Sequence, residues 1–127
     1  MKEIFLVGLG GFLGAISRYS VAKLVAQPTT VFPYATFIVN FTGSFLLALL
    51  YYAVINNKPF SSEFRAFAGI GFIGAFTTMS TFAYETYRFY EKGDYFAFSV
   101  NFVANIFFCL LAIHLGKEAS VFFFKSS

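Results

Sequence analysis

The chain has 127 residues, 58% of them hydrophobic and 12% charged, with a net charge of +3. Soluble domains carry about 25% charged residues, so this composition excludes a soluble globule and reads as one small integral membrane domain. The few charges form no basic cluster, which excludes nucleic acid as a partner, and a single Cys excludes an internal disulfide.

Four apolar segments follow one another at about 4–25, 34–56, 64–88 and 95–116. At about 1.5 Å rise per residue, each is long enough to cross a hydrocarbon core of about 30 Å as a helix. The expected fold is therefore an all-α membrane protein of four transmembrane helices in a single domain. No cleavable signal peptide is expected, because Arg18 and Tyr19 follow the first apolar run where a small-residue cleavage site would stand. There is no Trp, so Tyr51, Tyr52, Tyr87 and Tyr90 near segment ends take the interfacial role. The connections are short: Pro28 and Pro33 bracket the first, Asn56-Asn57-Lys58-Pro59 mark the second, and Glu91-Lys92-Gly93-Asp94 the third. Ser61 or Ser62 is expected to cap the third helix and Asp94 the fourth. The tail after Gly116 is short, and 121–124 is expected at the interface.

Loop charges are nearly balanced. The N-terminal side carries Lys2, Lys58, Arg65, Lys117 and Lys125; the other side carries Lys23, Arg88 and Lys92, with Arg18 nearby. So small a bias hardly fixes orientation. Insertion in both orientations, giving an antiparallel homodimer, is one reading; a single orientation with both termini inside is the other.

In the first segment Gly8, Gly11 and Ala15 form a small-residue face for close helix contact. Arg18 either snorkels to headgroups or stands at the mouth of an anion path, since a charge within a span usually faces the bundle interior or water. In the second segment Thr36, Asn40 and Ser44 share one helix face. Asn40 is either inter-helix glue or a neutral donor weak enough to release a passing anion. In the fourth, Asn101, Asn105 and Cys109 form a matching polar stripe, and two such amide stripes suggest a pore wall. His114 has no partner at metal-ligand spacing and reads as interfacial.

The third segment organises the rest. It reads GIGFIGAFTTMSTFAYE over 69–85. Gly69, Gly71 and Gly74 each cost about 1 kcal/mol against Ala in a helix, and Thr77, Thr78, Ser80 and Thr81 place four hydroxyls where leucines would face lipid. Irregular backbone at membrane depth survives only inside protein or beside water. A glycine break followed by hydroxyls and a carboxylate is thus either an ion pathway or a glycine packing face whose threonines bond back to their own helix. Thr77, Thr81 and Glu85 share one face; Met79 and Phe82 share another. Ring edges such as that of Phe82 are electropositive and can face an anion. Glu85 is otherwise an interfacial carboxylate paired with Arg88. No catalytic triad, carboxylate pair, His/Cys cluster or phosphate loop is present, so an enzyme is not expected.

These residues resemble the small dual-topology fluoride channels (Fluc, also called CrcB). The resemblance covers nearly the whole chain and rests on GGFLGAISRY at 10–19, ATFIVNFTGSF at 35–45, GFIGAFTTMSTFAYE at 71–85 and a fourth segment reaching LG at 115–116. It implies an antiparallel homodimer with two fluoride pores and a third helix broken at the bilayer midplane. It implies a structural Na+ at the dimer interface, held by the backbone carbonyls of Gly74 and Thr77. It further implies Asn40 as the pore amide, Phe82 as a pore ring, Ser80 and Thr81 on a hydroxyl track, Glu85 at the pore end, Thr36 one turn before the amide, and Arg18 in the vestibule. Asn101 and Asn105 fall where the family often has a tyrosine and a serine. Met79 departs from the family's usual phenylalanine. The partners implied are fluoride, lipid and a second copy, in a bacterial inner membrane. The rival readings are a small multidrug-resistance transporter, which lacks support because no carboxylate lies within the first span, and a non-transporting accessory subunit.

Overall fold

The computed structural model describes residues 1–28, 31–56 and 58–124. Four helical spans are long and apolar enough to cross a membrane: Lys2–Val25, Tyr34–Ile55, Ser62–Glu91 and Tyr95–Phe124. The first, second and fourth are single helices, here α1, α2 and α6. The third is composite. It runs through α3 (Ser62–Arg65), a π-helical segment (Ala66–Ile73) and α4 (Gly74–Phe76), then resumes after two extended residues as α5 (Met79–Glu91). It is also the most interior span, with 39% of its apolar window buried against 11% for the first.

The segment ends follow local chemistry. Ser61, of the two serines considered, caps α3 by accepting from the Phe64 amide at 3.1 Å. Asp94 caps α6, its Oδ1 accepting from the Ala97 amide at 2.9 Å. Between them, two residues past the end of α5, stands Gly93, whose φ of 72° is left-handed. The amides of Gly93 and Asp94 donate back to the carbonyls of Tyr90 and Phe89, both at 3.0 Å, which closes the helix in a Schellman motif. Asn57 of the second connection and Lys125 of the loop-charge count lie outside the described residues.

One expectation about an element end is corrected. The fourth helix does not stop at Gly116 but continues through Phe124. Gly116 costs helix propensity, but an added Cβ there would clash with the Phe45 carbonyl oxygen and lie 2.8 Å from the Ala48 Cβ. The glycine is there so that α6 can lie against the backbone of α2. The tail expected at the interface is its last turn, where Phe124 meets the Phe60 ring edge-on at 6.5 Å and Lys58 Nζ lies 5.8 Å from its centroid.

The chain packs as two pairs, α1 against the π segment and α2 against α6. The small-residue face of α1 is not the one expected. A Cβ on Gly8 would meet nothing within 4 Å, whereas one on Gly10 or Gly14 would enter the carbonyl oxygen of Phe67 or Phe72. Reciprocally, a Cβ on Gly71 would sit 2.6 Å from the Val7 carbonyl oxygen. Lipid tails are as apolar as leucine, so helices in a bilayer associate mainly through such close backbone packing. The register of that seam, centred on Gly10 and Gly14, leaves Gly8 facing outward.

The break itself also lies elsewhere than the glycines suggested. Residues 66–73 stay helical in the wider π form, seated on α1. The chain becomes extended at Thr77 (φ −81°, ψ 159°) and Thr78 (φ −153°, ψ 110°), in the middle of the span. The glycines serve packing, and the hydroxyl residues carry the interruption.

Candidate functional site

The interruption leaves backbone groups that need partners, because a buried N–H or C=O without one is costly. Asn40, on α2, supplies two at once. Its Oδ1 accepts from the Thr78 amide at 2.8 Å, and its Nδ2 donates to the Thr78 carbonyl at 3.1 Å. The amide therefore mimics a neighbouring strand for one residue and clamps the break from both sides. Thr78 also caps α5: its Oγ1 accepts from the Thr81 amide at 3.2 Å and donates to Thr81 Oγ1 at 3.0 Å. Ser80 Oγ lies 3.3 Å from the same hydroxyl. Thr77 back-bonds, its Oγ1 donating to the Ile73 carbonyl at 3.0 Å. The back-bonding of the second alternative is thus present at Thr77, with a polar break one residue on.

These bonds free two carbonyls. In a continuous helix the Gly74 oxygen would accept from the Thr78 amide and the Thr77 oxygen from the Thr81 amide. Both amides are committed elsewhere, to Asn40 Oδ1 and to Thr78 Oγ1. Carbonyl oxygens released in this way are the ligand type that replaces a monovalent cation's hydration shell, and Gly74 and Thr77 supply two of them. Arg18 Nη1 donates to the Thr77 oxygen at 3.4 Å.

Two cavities flank the clamp. One, of about 330 Å³, is lined by Arg18 and Tyr19 of α1, Thr36 of α2, and Thr81 and Glu85 of α5. The other, of about 280 Å³, is lined by Asn40, Ser44, Met79, Phe82, Asn105 and Cys109, among others. Thr78 lines both. Most residues singled out from the sequence therefore gather around one point. In the first cavity Thr36 Oγ1 donates to Glu85 Oε1 at 2.9 Å. Glu85 does not pair with Arg88, whose Nη1 instead lies 3.7 Å from Glu91 Oε2 on the surface. Ser80 is exposed beside the two cavities and lines neither of the sets named here.

The fourth-helix amides behave differently from Asn40. Asn101 is fully buried, and its Nδ2 donates to Thr86 Oγ1 at 2.8 Å. Thr86 in turn donates to the Phe82 carbonyl at 2.7 Å. Asn105 Nδ2 donates to the Asn101 carbonyl and to Asn101 Oδ1, each at 2.9 Å. These amides bind α6 to α5 and to each other. The Asn105 Oδ1 is buried with no hydrogen-bond partner among the described residues. Two contributing residues were not singled out from sequence. Thr78 was one hydroxyl in a run of four, and only the clamp distinguishes it. Thr86 lies one position beyond Glu85, and its partner Asn101 is fifteen residues away in a separate helix.

A polar, interrupted helix held inside a bundle of membrane-crossing helices defines a small multi-pass membrane protein with a polar seam through its interior. The family described as "CrcB-like protein, Camphor Resistance (CrcB)" matches residues 5–117, and the chain belongs to that family. It is 43% identical to "Fluoride-specific ion channel FluC 1" of Methanosarcina acetivorans, over 95% of this chain and 92% of that one. It is 43% identical to "Fluoride-specific ion channel FluC" of Methanococcus maripaludis, over 97% and 99%. Against the protein of that name from Shewanella baltica the identity is 40%, over 93% and 95%. The resemblance read from the motifs is thereby borne out, and the relatives include archaea as well as bacteria.

Proposed function

We propose that this chain is a fluoride-selective channel that lets the ion leave the cell passively, with no enzymatic step. The observation that carries this reading is the meeting of the two cavities at Thr78, beside the Asn40 amide. Asn40 Nδ2 has two hydrogens and spends one on the Thr78 carbonyl. The other can donate to an anion. The first turn of α5 adds N–H groups without intrahelical acceptors and the positive end of the helix dipole, which favour an anion at that level. Thr81 and Thr36 carry hydroxyls in the cavity of Arg18, whose guanidinium concentrates anions at that end. Phe82 and Met79 form the less polar wall opposite. Fluoride is small and strongly hydrated, so dense neutral donors replace its water better than they would replace that of a larger halide. The names of the relatives point to the same ion, and they do not favour a multidrug-resistance transporter or an accessory subunit.

The assembly in this reading is an antiparallel homodimer in the cell membrane. Near-balanced loop charges support both orientations, and the open sides of Gly74 and Met79, both exposed on the single chain, support a second copy closing the path. Gly74 and Thr77 would hold a sodium ion through their carbonyls at that interface, where it would satisfy oxygens the helix has released. The test is efflux from liposomes of purified protein. Fluoride should leave at least about 100-fold faster than chloride if donor-dense coordination selects the ion; equal rates would overturn the proposal.

A further inference from the structure

Two supports from α6 converge on Phe82, one on its backbone and one on its ring. Its carbonyl accepts from Thr86 Oγ1 at 2.7 Å, and that hydroxyl accepts in turn from Asn101 Nδ2 at 2.8 Å. Its ring is stacked on that of Phe102, with centroids 6.3 Å apart and an angle of 26° between the planes. Phe102 stacks in the same way on Phe98, at 6.3 Å and 5°, and Phe98 meets the ring of Tyr90 at 6.2 Å and 59°. Phe82 and Tyr90 belong to α5, Phe98 and Phe102 to α6, and in each helix the two rings lie whole turns apart on one face. The rings thus form a row. It begins at the cavity beside Asn40, which Phe82 lines, and ends at Tyr90 in the last turn of α5.

The two supports do different things. The Thr86 bond fixes the backbone of Phe82 and leaves its ring free to turn, because the outer torsion of a phenyl side chain is broad. Stacking removes that freedom, since a turned ring would part from Phe102. The plane matters because a phenyl ring is negative on its faces and positive at its edge. An anion beside a freely turning ring meets the repelling face for part of the time. Phe82 is 4% exposed and Phe102 is 46% exposed, so the inner ring is enclosed and the outer one backs it. We propose that Phe102 is a positioning residue for Phe82: it fixes the plane of that ring, so that an anion in the cavity meets its edge. This deepens the reading of the chain as a fluoride channel and rests on it. Attraction to the edge grows as an ion comes nearer, so fluoride gains more from a fixed edge than the larger chloride does. The role therefore bears on the choice between ions.

The test is the ratio of fluoride to chloride efflux from liposomes carrying Phe102→Leu or Phe102→Tyr beside the unaltered protein. Inactive protein lowers both rates alike and cancels in the ratio, so a merely structural role would leave the ratio unmoved. Phe102→Leu should lower it about fivefold, within the range that one aromatic pair contributes. Phe102→Tyr keeps a ring to stack and should keep the unaltered ratio. An unchanged ratio in Phe102→Leu overturns the role, and so does a loss in Phe102→Tyr equal to that in Phe102→Leu. The contact itself is tested without any ion, by the Tm of Phe82→Leu, Phe102→Leu and the double variant. The double variant should lose less than the sum of the two single losses, because side chains in contact are not additive; a simple sum overturns the coupling of the two rings. Equal fluoride and chloride rates in the unaltered protein would overturn the functional reading and this role with it. A fluoride preference that survives intact in Phe102→Leu overturns the role alone.

Discussion

The two halves of the third span solve the same problem in opposite ways. The first half, through Phe76, keeps its backbone bonds within the helix and gains closeness by omitting side chains: Gly71 meets the backbone of α1 at a separation that no other residue permits. The second half starts from a deliberate interruption and satisfies its backbone with side chains from elsewhere, chiefly Asn40. In a bilayer the first solution gives rigidity with nothing for a solute to touch. The second leaves polar atoms whose bonding capacity is only partly used, which is the requirement for conducting an ion. The glycine half anchors the break, and the threonine half is the part that the proposed fluoride path would use.

The sharpest way to break this contrast is at the seam. Gly14→Ala would drive a Cβ into the Phe72 carbonyl. A backbone neighbour cannot rotate away, so the loss should be about 3 kcal/mol or more, seen as a vanished monodisperse peak in gel filtration. Gly8→Ala is the control, with nothing within 4 Å, and should leave that peak intact. A smaller effect is expected in the polar half. Thr86→Val leaves the buried Asn101 amide without its acceptor, which costs about 1–3 kcal/mol and should lower the Tm, while Thr86→Ser should restore it. Smaller again is Glu85→Gln, which keeps an oxygen for the Thr36 hydroxyl and removes a negative charge from the cavity of Arg18. Fluoride efflux should rise by no more than about threefold, as expected for one charge in a partly hydrated cavity. The smallest effect is at Arg88→Ala. Its pairing with Glu91 is long and both side chains are about half exposed, so Tm should move by less than the equivalent of about 0.5 kcal/mol.

How much of this was legible in the sequence depended on how local the cause was. The four spans follow from apolar run lengths, and the Ser61 and Asp94 caps from residues adjacent to the helices they start. Spacing placed Thr36 and Asn40 on one face of α2 and Thr81 and Glu85 on one face of α5, while the meeting of residues from the two helices was implied only by the family resemblance. What failed to show was contact between spans. Periodicity gave α1 a small-residue face one position removed from the one used, because only the partner helix decides whether Gly8 or Gly10 faces inward. Glycine propensity placed the break too early, since it counts the cost of Gly69 and Gly71 in isolation and not the gain of seating them on α1. The fourth-helix asparagines had the right spacing for a stripe, but whether that stripe faces an ion or another hydroxyl turned on Thr86 across the bundle.

The claim that Asn40 both clamps the break and faces the ion is tested most directly by fluoride efflux from liposomes carrying Asn40→Asp beside the unaltered protein. The carboxylate keeps the acceptor for the Thr78 amide but removes the N–H group that donates to the Thr78 carbonyl, and it sets a negative charge where the anion must pass. Efflux should fall by at least about 100-fold, the equivalent of about 2.8 kcal/mol in the barrier, with the protein still eluting as a single species. Efflux at the unaltered rate would contradict the account.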